Sequence, residues 1–122
     1  MFNANDFPEL SLFIKDTVDC FEKWNILMHY SRQPRAQENV FSLTQMTGRS
    51  EVSVKKAVDD LLMQGILYSK QDGGDELYLS TEKAPLFDKL KQGLDDKSAR
   101  LRLLMVAVET IRTKGTTIKE DK

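Results

Sequence analysis

The sequence predicts a mainly α fold carrying a single small β-hairpin, and three features of its middle third point to it. The first is a brief helical segment that opens near Ser42 and is stopped by Gly48. The second is a longer stretch, residues 50–64, in which Val54, Ala57, Val58, Leu61 and Leu62 fall on one stripe of a helix. The third is a pair of strand-like runs, residues 66–70 and 77–79, flanking Asp72-Gly73-Gly74-Asp75, a spelling that favours a tight hairpin turn. Helix, glycine turn, helix and hairpin therefore follow one another over residues 42–80.

The remaining elements can be read in chain order. Residues 7–16 hold apolar positions without a clear period, and they suit a short helix packed on the domain or on a partner chain. From Thr17 the pattern is helical, because Val18, Phe21, Trp24, Leu27 and Met28 recur at three- and four-residue steps. Pro34 should end this helix near Arg32, since the residue before a proline avoids helical geometry. Residues 32–39 are polar and read as a loop.

Ser42 and Gln45 have capping-box spacing, in which each side chain satisfies the other's free backbone amide. Gly48 supplies the turn after that helix, Ser50 caps the next, and Gly65 sits where a left-handed residue commonly ends one. Ser80 or Thr81 can cap a further helix, with Pro85 near its first turn. Beyond it a seven-residue spacing runs through Phe87, Leu90, Leu94, Leu101, Leu104, Val108 and Ile111. Lys97 interrupts this series and Gly93 weakens it, so one long helix or two with a kink at 93–96 are both open. The organisation expected is an N-terminal extension (1–16), a central domain (17–82), a C-terminal region suited to dimerisation (83–114) and a flexible polar tail (115–122).

Composition removes several functional classes. A chain of 122 residues suits one domain with one core, and its 40% hydrophobic and 30% charged content is ordinary for a globular protein. No apolar run approaches the roughly 18 residues of a membrane span, and MFNANDFPEL lacks the basic start of a secretion signal. A single cysteine excludes an internal disulfide and suits a reducing cytoplasm. Cys20 and His29, the sole members of their types, fall on opposing sides of one predicted helix, so no metal site and no cofactor are expected. There is no phosphate-cradling glycine loop and no nucleophile motif, and neighbouring carboxylates such as Asp59-Asp60 and Asp95-Asp96 diverge on a helix. An enzyme is not expected.

Charge is distributed unevenly around a formal net of −1. Residues 49–56 carry +2 and residues 83–122 carry +4, against −2 over 1–39 and −5 over 57–82. Positive charge thus gathers at the start of one helix and along the C-terminal third.

The run Gly48-Arg49-Ser50-Glu51-Val52-Ser53-Val54-Lys55-Lys56-Ala57-Val58, followed by Leu61 and Gly65-Ile66-Leu67, resembles the winged helix-turn-helix superfamily of transcriptional regulators. That superfamily includes the multiple-antibiotic-resistance-type and arsenic-repressor-type groups, and the spacing is specific for the fold rather than for any one of them. The resemblance spans roughly residues 17–80, and it implies a winged helix-turn-helix with an added C-terminal helix or helix pair. It also implies that the helix over residues 50–64 enters the major groove of double-stranded DNA. Carried across by position, Val52, Ser53, Lys55 and Lys56 would face bases or backbone, with Glu51 beside them. Arg49 and Ser50 would sit near a phosphate at the positive helix end, and Lys70 would reach from the wing. Val52 could meet only a thymine methyl. In such regulators a helix after the wing commonly pairs with its twofold mate, which makes the stripe from Phe87 to Ile111 a dimerisation candidate and the chain its own partner.

Two features depart from that pattern. Asp59 and Asp60 stand where reader helices often carry cations, and the wing, residues 70–76, sets three carboxylates against Lys70. Carboxylates at contact distance repel a phosphate backbone. The competing expectation is a winged-helix module for protein–protein contact within a larger assembly. Blander readings also stand: Lys55 and Lys56 as a solvated helix face, the C-terminal stripe packed on the chain's own first helix, and Trp24 with Phe21, Met28 and Tyr30 as core. Core packing is preferred for these last four over an apolar ligand pocket.

Overall fold

The computed structural model describes residues 2–81 and 84–120. A turn of 3-10 helix at Ala4–Asp6, opened by the Asn3 side chain, leads into α1, Phe7–Thr17. Helix α2 spans Phe21–Arg32. The helix expected from Thr17 begins four residues later, because Val18 and Cys20 are extended (φ −98° and −154°), and Thr17 instead ends α1, the short helix that residues 7–16 suit.

Helix α3 covers Val40–Thr47 and begins earlier than the Ser42–Gln45 spelling suggests. Asn39 is the cap: its Oδ1 accepts from the Ser42 amide at 2.8 Å, while Ser42 Oγ accepts from the Asn39 amide at 3.0 Å. Ser42 belongs to a capping box after all, but at its inner end, since the extended Asn39 offers the acceptor first. Gly48, at φ 68°, makes the left-handed turn into α4, Glu51–Met63, whose cap Ser50 accepts from the Ser53 amide at 3.2 Å.

Strands β1 (Leu67–Asp72) and β2 (Asp75–Ser80) pair antiparallel, with Leu67 opposite Ser80 and Asp72 opposite Asp75. Gly73 and Gly74 both have positive φ, 60° and 94°, as a two-residue hairpin turn of this hand requires. Glu38 adds a single bridge to the hairpin through paired backbone hydrogen bonds with Tyr78, and the Tyr30 hydroxyl donates to the Tyr78 carbonyl at 2.6 Å. These contacts tie the wing to α2.

Two helices follow, α5 (Ala84–Asp95) and α6 (Lys97–Glu120). Asp96 separates them, its Oδ1 accepting from the Ala99 amide at 2.9 Å, so the two-helix alternative is the one observed. Ser80 ends β2 and its hydroxyl donates to the Pro34 carbonyl, while residues 82 and 83, where the cap of α5 would lie, fall outside the described residues.

One apolar core joins all these elements, with Ile14, Tyr30, Leu43, Leu61, Phe87 and Leu103 among its fully enclosed members. Helix α6 packs on both α1 and α5. The α5–α6 crossing is close at Gly93, where a methyl group would stand 2.8 Å from Leu103 Cδ1. The whole is a winged helix-turn-helix with a C-terminal helix pair.

Candidate nucleic-acid interface

Burying Val54, Ala57, Val58 and Leu61 turns the opposite side of α4 to solvent. Val52, 81% exposed, stands foremost on that side, with Glu51, Lys55, Lys56 and Asp59 also exposed. Ser50 and Ser53 are engaged with one another, their hydroxyls 3.0 Å apart, in closing the first turn. Arg49 precedes the helix, its guanidinium carbon 5.8 Å from the centre of the Phe21 ring. The free amides and dipole of the helix start add positive potential there.

The acidic residues of α4 separate into two roles. Lys55 donates to Asp59 at 2.6 Å, and that hydrogen bond holds the lysine pKa above its ordinary value. Both partners are about half exposed, so the pair contributes only about 0.5 kcal/mol and can be exchanged for a better anion at little cost. Asp60 is instead drawn onto α2, 3.1 Å from the ammonium of Lys23. Lys23 is a residue that sequence reasoning passed over as a polar helix position. Its spacing to Asp19, four residues earlier, was the available signal. Among the described residues Lys56 has no carboxylate partner.

In the wing Lys70 lies on β1 opposite Leu77, and the carboxylates gather at the tip, Asp72 facing Asp75 and Glu76 facing Gln71. Glu76 accepts from the Tyr78 hydroxyl at 3.2 Å. All four charged side chains are exposed.

The seven-residue series divides between two surroundings. Phe87, Leu90 and Leu94 lie inside the chain's own core. Leu101, Leu104 and Val108 are exposed at 54%, 36% and 42%, and Ile111 is half-buried. Met105, 69% exposed, joins them and was missed because it falls outside the seven-residue count. Leu101, Leu104, Met105 and Val108 form one outward stripe at helical spacing, while Ala99, Leu103, Ala107 and Thr110 form the inward one.

Trp24 and Tyr30 are core residues, whereas Phe21 is exposed beneath Arg49. His29 Nε2 lies 2.7 Å from Glu38 Oε2, well apart in role from Cys20, whose thiol burial pushes up to about 11. Among the described residues no group of three or more His, Cys, Asp or Glu side chains could hold a metal ion, and no helix is long and apolar enough to cross a membrane.

Fold and exposed face together define a winged helix-turn-helix protein. No family model and no curated protein matches the chain. Among solved structures it is similar to the adhesin competence repressor (AdcR) from Streptococcus pyogenes, at 22% identity and a TM-score of 0.56, over 87% of this chain and 82% of that one. A C-terminally His-tagged structure of the same repressor matches at 21% identity and a TM-score of 0.53, over 82% and 79%. At such identities the likeness is one of fold.

Proposed function

We propose that this chain is a cytoplasmic, homodimeric regulator of transcription that binds double-stranded DNA through α4 and performs no catalysis. The observation that carries this reading is the outward face of α4. A helix held by a glycine turn and an apolar stripe presents Arg49, Val52, Ser53 and Lys56 together at its free N-terminal end. That is the end by which a reader helix meets base edges and phosphates. Lys55 joins them when it leaves Asp59, and Lys70 reaches the backbone from the wing. The fold shared with a protein named as a repressor supports the same reading.

The outward stripe of α6 supports the dimer. Three large side chains of the series already lie in the monomer's core, whereas Leu101, Leu104, Met105 and Val108 leave between 36% and 69% of their surface exposed. A twofold mate would cover them and duplicate the reader. The inner residues Phe87, Leu90 and Leu94 would then stiffen the face, and Ile111 would extend it.

A second reading, a winged helix for protein contact, is favoured by the acidic wing tip and by exposed Phe41 on α3, 67% accessible. Substituting Arg49 and Lys56 together by alanine separates the two. For a DNA reader the double variant should bind fragmented genomic DNA more weakly and lose about two units of salt slope, near one per phosphate contact removed. Equal affinity and slope in variant and parent would refute the assignment.

A further inference from the structure

Lys23 is a buried cation in a small protein, and its surroundings explain why it is tolerated. Its side chain is 3% exposed, on the first turn of α2. The ammonium lies 2.9 Å from Asp19 Oδ1, just ahead of α2, and 3.1 Å from Asp60 Oδ2 on α4. Burial disfavours the charge, yet the hydrogen bonds donated to Asp19 and Asp60 outweigh it and keep the lysine pKa above its ordinary value. A buried pair of this kind adds little net stability against an apolar replacement, while breaking it from one side is costly. Orientation is the better reason to keep one.

Helix α4 needs such orientation. Its apolar contacts with the core are non-directional and would permit the helix to roll or slide slightly. Ser53, Lys56, Ala57 and Asp60 face the start of α2 across an open pocket of about 150 Å³, whose lining includes both Lys23 and Asp60. The bridge at Asp60 fixes what the packing leaves free.

We propose that Lys23 is a positioning residue: by drawing Asp60 onto α2 it sets the rotation of α4, and so the direction in which Lys56 and, one turn earlier, Val52 leave the protein. The consequence for DNA rests on the proposed function, whereas the effect on α4 does not. The bridge also removes Asp60 from the face that would meet phosphates.

Asp60→Ala gives the decisive sign. Removing a carboxylate near the reader face would, by charge alone, tighten DNA binding. Loss of positioning should instead weaken binding to fragmented genomic DNA several-fold and flatten the salt slope by about one unit, as one phosphate contact is lost. Lys23→Arg, which can still bridge both carboxylates, should bind like the parent. Amide exchange on the same proteins, without DNA, should quicken on the order of tenfold at residues 55–58 relative to residues 44–47 of α3 in Asp60→Ala. A merely stabilising bridge would speed both helices alike and leave the slope of the folded protein unchanged. Tighter or unaltered DNA binding, or exchange that does not single out α4, would overturn the proposal. If the parent binds no DNA at low salt, that failure belongs to the proposed function, and the exchange comparison alone decides the role of Lys23. Should Asp60→Ala fail to fold, Lys23→Met is read by the exchange comparison alone, because loss of a cation weakens DNA binding by charge as well.

Discussion

Val52 is an aliphatic side chain 81% exposed at the leading end of a helix, and water gives it no reason to be there. On a DNA-reading surface its partner would be a thymine methyl group, the apolar feature of the major groove. Burying one methylene-sized group is worth about 0.8 kcal/mol, near fourfold in affinity. Val52→Ala removes two such groups, of which one would meet the thymine methyl, so binding to a selected DNA site should weaken by roughly that factor. The loss should vanish on the same site made with uracil in place of thymine, which lacks only the methyl. An equal loss on both DNAs would show that Val52 acts through the protein. Around it, single residues decide how much charge the surface offers: Asp59 occupies Lys55, Asp60 is held by Lys23, and Lys56 is left to act.

At the scale of elements the helix-turn-helix rests on two local devices, the Asn39 cap and the Gly48 turn. Asn39→Ala removes the acceptor for the Ser42 amide and should cost about 1 kcal/mol. Gly48→Ala forces a side chain into left-handed geometry, at φ 68°, and should cost about 1–2 kcal/mol. Each kcal/mol should lower the thermal midpoint by about 4 °C, read by circular dichroism. An unchanged midpoint in Asn39→Ala would contradict the cap assignment. The glycine turn, the α4 stripe and the hairpin were legible because each is written in neighbouring residues: Gly48 with Ser50, four-residue apolar steps, and Gly73-Gly74. The start of α3 was misread because both Asn39 and Ser42 are good capping residues, and only backbone geometry chooses between them. The start of α2 was placed too early for a related reason, since Val18 fits a helical stripe as well as it fits an extended bend. Of the candidate site, the exposed α4 face was legible from its periodicity. The bridge from Lys23 to Asp60 was not, because the two are distant in sequence and meet through packing.

For the molecule as a whole, buried ionisable groups set the response to alkali. Burial raises the Cys20 thiol from 9.0 to about 11, and burial followed by the Glu38 charge raises the Tyr30 hydroxyl above 10.0. Lys23 also stands above 10.5, its two hydrogen bonds outweighing burial. Each folded value lies above the unfolded one, so the native state keeps these protons longer. Their contribution to stability is complete below about pH 9 and is lost as pH rises through the folded values. The urea midpoint should hold from pH 7 to about 9 and fall clearly by about pH 11. A midpoint that rises over that interval would contradict the burial of all three. The same unit carries a cationic helix start and an apolar stripe along α6, the two features on which the proposed twofold reader depends. The most direct test is a titration of fragmented genomic DNA with the intact protein at low and at moderate salt. A homodimeric reader should bind with affinity that falls steeply as salt rises. No measurable binding even at low salt would contradict it.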